Sequence, residues 1–326
     1  MKDKTMRVAK HVVLAGLLGL STIAGAQASD YPNRPVTMVV PFSPGSITDV
    51  LARLAAKGLG DRTGGNFVVV NKPGAGGNIG AAEVAISKPD GYTLLVGAAS
   101  TNAINPSLFK NLRFDPIKDF IPISNLAKTA NVLVVAPDVE AQDLPEFIDL
   151  VRKQEITYGS TGNGGSMHLS GELFKTMVQG QMLHIPYKGG SEALSDLLPG
   201  RVQAMFCNIP LCLPHIEAGK LRALAVTTKD RSALLPAVPT MAESGLPEYD
   251  VYGWFGLFAP TGTDAAIIEK LNTEMQAILG DADIKALLLQ QGAEPDPSTP
   301  EAYAKFVQHE HDKWAQVIEK AGIVVE

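Results

Sequence analysis

The sequence predicts an α/β protein built from two βα domains that meet at a cleft. Three observations predict it. Strand-like and helix-like segments alternate through most of the chain, the pattern of parallel strands covered by helices on both faces. Two strand–loop–helix units, at residues 36–53 and 157–177, each carry a short Ser/Gly-rich loop before a helix start. An apolar, aromatic run at 251–258 is too rich for a surface loop and returns the chain to its first domain.

The elements follow in order. Residues 36–40 (VTMVV) form a buried strand, 41–46 a turn with two prolines, and 47–60 a helix on the spacing of Ile47, Val50, Leu51 and Leu54. Ser46 and Asp49 have capping-box spacing at its start. Residues 67–71 are a strand, 72–78 a glycine-rich loop, 79–87 a helix and 92–97 a strand. The polar stretch 98–105 lies past that strand's carboxyl end and reads equally as a connection or as part of a site. Residues 114–123 are proline-marked and irregular, a strand restarts at 131–136, and a domain crossing is placed near 125–130. The second domain continues with a helix at 144–154 capped by Asp143, a strand at 157–159, the STGNGGS loop and a helix at 167–177. Strands at 183–186, 202–206 and 221–227 alternate with helices at 191–198 and 214–218. After the 251–258 run, helices at 264–279, 284–291 and 301–321 complete the chain, the last with Tyr303, Phe306 and Val307 on one face and Trp314, Val317 and Ile318 likewise.

Composition narrows the function. The 326 residues are 45% hydrophobic and 19% charged, an ordinary globular balance, and a net charge of −6 carries no electrostatic footprint for nucleic acid. Lys2, Lys4, Arg7 and Lys10, an apolar run at 12–23 and the Ala26-Gln27-Ala28 triplet read as a secretory signal peptide over residues 1–28, cleaved after Ala28. Its removal leaves 24 basic and 33 acidic residues, a net charge of −9. An exported protein of that charge must bind an anion locally, through backbone N–H groups or a few placed side chains. Cys207 and Cys212 are the only cysteines, and their spacing leaves a disulfide and two free thiols both open.

The loops before the two helices are the candidate sites. Free N–H groups at a helix start, at the carboxyl edge of a sheet, suit an anion. Other motifs do not hold. The run from Gly74 to Gly80 is not G-x-G-x-x-G, and tight packing accounts for its glycines. No nucleophile–base pair is placed by spacing: Ser166 and His168 are two apart on different faces, and His309 and His311 diverge on a helix. His184 and His215 read as structural. Neither a catalytic residue, a cofactor nor a metal site is expected.

The ordered set of short motifs resembles the solute-binding receptors of tripartite tricarboxylate transporters, the Bug receptors. It runs through Tyr31-Pro32, Pro41 to Asp49, Asn71 to Gly77, Pro89-Asp90-Gly91-Tyr92, Asp115-Pro116, Gly164 to Leu173, Pro186-Tyr187-Lys188-Gly189, Pro239-Thr240 and Trp254-Phe255-Gly256. The resemblance implies a two-lobed periplasmic binding protein (flytrap) fold with a central cleft. Lobe 1 would comprise 29–127 plus 252–326, and lobe 2 residues 128–251. It also implies a monomeric periplasmic receptor, without enzymatic activity, that closes on a dicarboxylate, tricarboxylate or aromatic carboxylate and hands it to membrane subunits of a transporter. A role in signalling to a membrane sensor is the first alternative, and a carboxylate-processing enzyme the second, against which the missing nucleophile–base set argues.

The implied site comprises Phe42, Ser43, Gly45, Ser46, Ile47, Thr48 and Asp49 in the first lobe, to which the position of 98–105 past a strand end adds Ser100 and Thr101. In the second it comprises Ser160, Thr161, Gly164, Gly165, Ser166, His168 and Asn208, with Trp254 either stacking on ligand or filling the hinge. Backbone donors over 45–48 would bind, with Asp49 chiefly their organiser. Three departures from the family pattern bear on the ligand: Ser46 replaces a glycine, the loop before His168 lacks a threonine, and Cys207 stands where an aspartate is usual. The last disfavours an amino-acid ligand and favours a plain or aromatic carboxylate.

Overall fold

The computed structural model describes residues 30–187 and 189–322. The expected signal peptide and cleavage point, and Lys188 of the Tyr-Lys-Gly turn, lie outside the described residues. In lobe 1, β1 (Val36–Val40) leads to α1 (Ile47–Thr63), then β2 (Phe67–Asn71), a short 3-10 turn, α2 (Asn78–Ala85) and β3 (Thr93–Ala98). β1 lies between β2 and β3 and pairs parallel with both, as the alternating pattern requires. A π-helical turn (Ser100–Ile104) and the single turn α3 (Asn105–Leu108) follow.

The chain then crosses on β4 (Phe120–Val135), one strand of 16 residues. This differs from the expected irregular segment at 114–123, and the crossing expected near 125–130 falls within a continuous strand. Pro122 and the polar run Ser124, Asn125, Lys128 and Thr129 disguise the strand in the sequence. The structure accommodates them with register shifts at Pro122/Ser124 and Asn125/Ala127, where a missing N–H costs least. Up to Ala130 the partner of β4 is β9 (Tyr252–Pro260); from Asn131 it pairs with β7 (Ala204–Asn208) and β8 (Arg222–Val226).

Lobe 2 holds α4 (Leu144–Lys153), β5 (Ile156–Ser160), α5 (Ser166–Val178), β6 (Met182–Pro186), α6 (Gly190–Leu197), β7, α7 (Ile209–Glu217) and β8. β5 pairs parallel with β6 and β7. The strand order is β2-β1-β3-β9-β4-β7-β5-β6, so the sheet is continuous across both lobes, parallel within each and antiparallel at the crossing strands.

After β9 come α8 (Ala265–Gly280), α9 (Ala282–Gln290), β10 (Glu294–Pro295), which pairs with β4, and α10 (Pro300–Ala321). Thr299 caps α10, accepting from the Ala302 N–H at 3.2 Å, and Pro300 fills its first turn. Tyr303, Val307, Glu310, Trp314 and Ile318 form its buried stripe. That stripe lies on β4 and reaches both α3 in lobe 1 and α5 in lobe 2.

Two cores result. One, under α1 and α8, holds Met38, Leu51, Leu94, Leu257 and Leu271. The other runs from Val39 and Leu108 in lobe 1, through Trp254 and Trp314, to Tyr158 and Phe206 in lobe 2. Cys207 and Cys212, left open by their spacing, form a disulfide between the end of β7 and α7.

Candidate functional site

The two loops have the same local geometry. In the first, Gly45 sits at φ 81°, where a side chain is strained, and its N–H donates to Asp49 Oδ2 at 3.0 Å. In the second, Gly164 also sits at φ 81°, and its N–H donates to His168 Nδ1 at 3.1 Å. Each glycine precedes an N-cap in extended conformation: Ser46 at φ −67°, ψ 157° and Gly165 at φ −76°, ψ 163°. Each glycine therefore bonds to a side chain four residues on, and the tie holds the loop over the first turn of its helix.

What remains unpaired differs between them. Ser46 Oγ accepts the Asp49 N–H at 3.3 Å, while the Ile47 and Thr48 N–H groups have no partner among the described residues. Gly165 has no side chain to cap with, and the Ser166, Met167 and His168 N–H groups have no partner among the described residues. Both sets sit at the carboxyl ends of parallel strands and carry the positive end of a helix dipole.

Asp49 organises rather than presents. It is 4% exposed; Asn71 donates to Oδ1 at 3.0 Å and Arg53 Nε to Oδ2 at 3.0 Å, and Asn71 also holds the Phe42 carbonyl at 3.0 Å. Burial alone would raise its pKa, but the bonds from Arg53, Gly45 and Asn71 outweigh it and lower the pKa, keeping a carboxylate. Asn71, at the end of β2, is not among the residues expected at the site, because its partner Asp49 lies 22 residues away in the sequence.

His168 has the corresponding role. It is 4% exposed and stacks on His184 with ring centroids 3.9 Å apart. Ser160 Oγ lies 2.6 Å from His184 Nε2 and also holds Gly162, so Ser160, fully buried, shapes the loop.

Burial lowers the pKa of His168 to about 4, with Lys175 adding to it, and that of His184 to about 3, with His168 adding to it. An unfolded histidine titrates near 6.5. Between pH 6.5 and 4 the unfolded chain therefore holds a proton on residue 168 that the folded chain does not. Stability is full above about pH 6.5 and falls on acidification, by up to about 3 kcal/mol from His168. Urea unfolding at pH 7 and pH 4.5 measures the loss. His168→Asn, which keeps an acceptor for Gly164 but does not titrate, should flatten part of the slope; an unchanged slope contradicts this assignment.

The segment between β3 and α3 adjoins both loops. The Gly77 backbone lies where a methyl would meet Thr101 Cγ2 at 2.5 Å and Phe42 Cζ at 3.2 Å. At its other end, a methyl on Gly164 would meet Leu108 Cδ1 at 2.5 Å, a contact between lobes. Ser166 Oγ would lie 3.7 Å from a methyl on Gly253, in the crossing strand β9. Phe42, Ser43, Gly45, Ser46, Ile47, Ser100, Thr161, Gly165, Ser166 and Asn208 are at least partly exposed.

Trp254 and Thr101 are placed inside the protein, and of the two readings of Trp254 the structure has it filling the hinge. Trp254 is fully buried: Nε1 donates to Glu310 Oε2 at 3.1 Å, and its ring packs edge-on against Tyr303 and Phe306 of α10. On β9 it faces away from Gly253 and Ser166, because side chains alternate across a strand. Thr101 is fully buried too, its hydroxyl closing the turn on Ala98 and Asn102. Asn131, which carries no sequence signal, is buried where β4 changes partner. It accepts from Asn208 Nδ2 at 2.7 Å and donates to Ser170 Oγ at 3.2 Å.

Comparison with known proteins fits this geometry. A sequence model of the family described as "Tripartite tricarboxylate transporter family receptor" matches residues 51–323. The chain is 40% identical over 302 residues to Protein BugT of Bordetella pertussis, covering 92% of this chain and 93% of that one. A structure described as R. palustris Rpa4515 with adipate superposes with a TM-score of 0.80 at 39% identity, covering 91% of this chain and all of that one. MatC (Rpa3494) from Rhodopseudomonas palustris with bound malate gives a TM-score of 0.75 at 33% identity, over 88% of this chain and 100% of that one.

Proposed function

Because this chain belongs to the tripartite tricarboxylate transporter receptor family, whose members are solute-binding receptors and not enzymes, we propose that it captures a small dicarboxylate between its lobes in the periplasm and delivers it to the membrane subunits of such a transporter. One observation carries the proposal: two helix starts, one per lobe, hold the same Gly-to-side-chain tie and leave backbone N–H groups without a partner among the described residues. A carboxylate satisfies such donors without a cationic side chain, which suits a mature chain of net charge −9. Adipate and malate in the two related structures are both dicarboxylates, which supports that class. The basic and apolar N-terminal segment supports export.

A thermal-shift panel of C4 to C8 dicarboxylates, citrate and benzoate tests the reading. At least one dicarboxylate should raise Tm saturably, by the linkage between binding and folding, with the acid recovered intact. No shift from any member, or consumption of the acid, would overturn it.

A further inference from the structure

The disulfide closes a short loop, Cys207-Asn208-Ile209-Pro210-Leu211-Cys212, that touches three separate parts of the molecule. Asn208 Nδ2 donates to Asn131 Oδ1 at 2.7 Å, at the point where β4 passes between lobes. The Pro210 ring lies directly on Gly292, in the turn between α9 and β10, where any side chain would collide with it. Gly292 lies on the lobe 1 side of the crossing, since β10 pairs with β4 at Ala127 and Lys128, where β4 still pairs with β9. Leu211 lies directly on Gly190. A methyl placed on that glycine would collide with Leu211 and stand 3.7 Å from Thr161 Cγ2 in the second loop.

Both cysteines are fully buried, and Ile209 is 2% exposed. The loop is therefore anchored at its two ends and in its middle, and only Asn208, Pro210 and Leu211 reach outward to these contacts. A lobe movement about β4 and β9 must shift Pro210 against Gly292. We propose that the disulfide-closed loop 207–212 is an interlobe latch: it fixes Pro210 against lobe 1 while positioning Asn208 and the Thr161 side of the second loop at the cleft. Its residues are positioning residues, because the contacts run through Asn131, Gly190 and Gly292. The latch adds to the carboxylate clamp but does not depend on which ligand fills it, so its test uses none.

The test is amide hydrogen exchange of the unliganded mature protein, followed by mass spectrometry. Two variants are compared with the native chain: Cys207→Ser/Cys212→Ser, and Pro210→Ala, which keeps the disulfide and removes only the ring on Gly292. The double variant should exchange at least about tenfold faster in two distant segments, 160–169 and 288–295, with 36–63 unchanged, as expected of sub-global opening. Pro210→Ala should reproduce the change at 288–295, with little effect at 204–208. Faster exchange confined to 204–217, or spread evenly over the chain, would assign the disulfide a local or global stabilising role and overturn the latch.

Discussion

Ser46→Phe is expected to abolish carboxylate binding while leaving the unliganded fold close to native. Ser46 is partly exposed and its backbone is extended, so a ring can stand there without entering either core. It would cover the Ile47 and Thr48 N–H groups. Each hydrogen bond from such a group to a charged acceptor is worth about 1.5–3 kcal/mol, so losing two weakens affinity by at least about 100-fold. The lost cap on the Asp49 N–H costs about 1 kcal/mol of stability. Ser46→Ala separates the two effects: it should lose the same stability but keep affinity within about tenfold, because the backbone donors stay open. Titration calorimetry with a dicarboxylate that shifts Tm, together with urea unfolding, reads both. Native-like affinity in Ser46→Phe would show that the first loop does not hold the ligand.

Glu310→Ala is expected to be strongly destabilising, at about 3–5 kcal/mol. Glu310 is 3% exposed, and its Oε2 accepts both indole N–H groups, from Trp254 at 3.1 Å and Trp314 at 3.0 Å. Its Oε1 accepts from Lys313 Nζ at 3.1 Å, which also reaches the Asp250 carbonyl just before β9. Removing the carboxylate leaves two buried donors unpaired, opens a cavity and unties α10 from the crossing strand. Glu310→Gln keeps an oxygen for the indoles and gives up the ion pair with Lys313, and should cost about 1–2 kcal/mol. Circular dichroism during urea unfolding is the suitable probe, because both tryptophans of the chain sit on this carboxylate. A Glu310→Ala loss below about 1 kcal/mol, the size of a single ordinary hydrogen bond, would show that α10 is held by other contacts.

The parts legible in the sequence are those fixed by local chemistry. The Ser46 cap, the strand-to-helix loop at 41–46 and the second unit at 160–166 follow from residues adjacent in the chain. The capping box is only half right: Ser46 accepts the Asp49 N–H, but Asp49 turns to Gly45, Arg53 and Asn71 instead of the Ser46 N–H. The glycines after β2 pack closely, as expected: Gly77 fits between Phe42 and Thr101. What the sequence hides depends on distant partners. Trp254 could face either side of its strand, and only Glu310, 56 residues later, decides which. The length of β4 is masked because its bulges break period-two alternation. His168 reads as a ligand contact; its tie to Gly164 is local, but its stacking on His184 becomes visible only once α5 and β6 are adjacent.

The clamp itself is tested most directly by backbone amide NMR of the mature protein during titration with adipate, malate and the other acids of the panel. For at least one dicarboxylate, a single binding curve should move the Ile47 and Thr48 amides together with those of Ser166, Met167 and His168. A ligand that shifts amides in one lobe only, or in neither loop, would rule out a clamp made by the two helix starts.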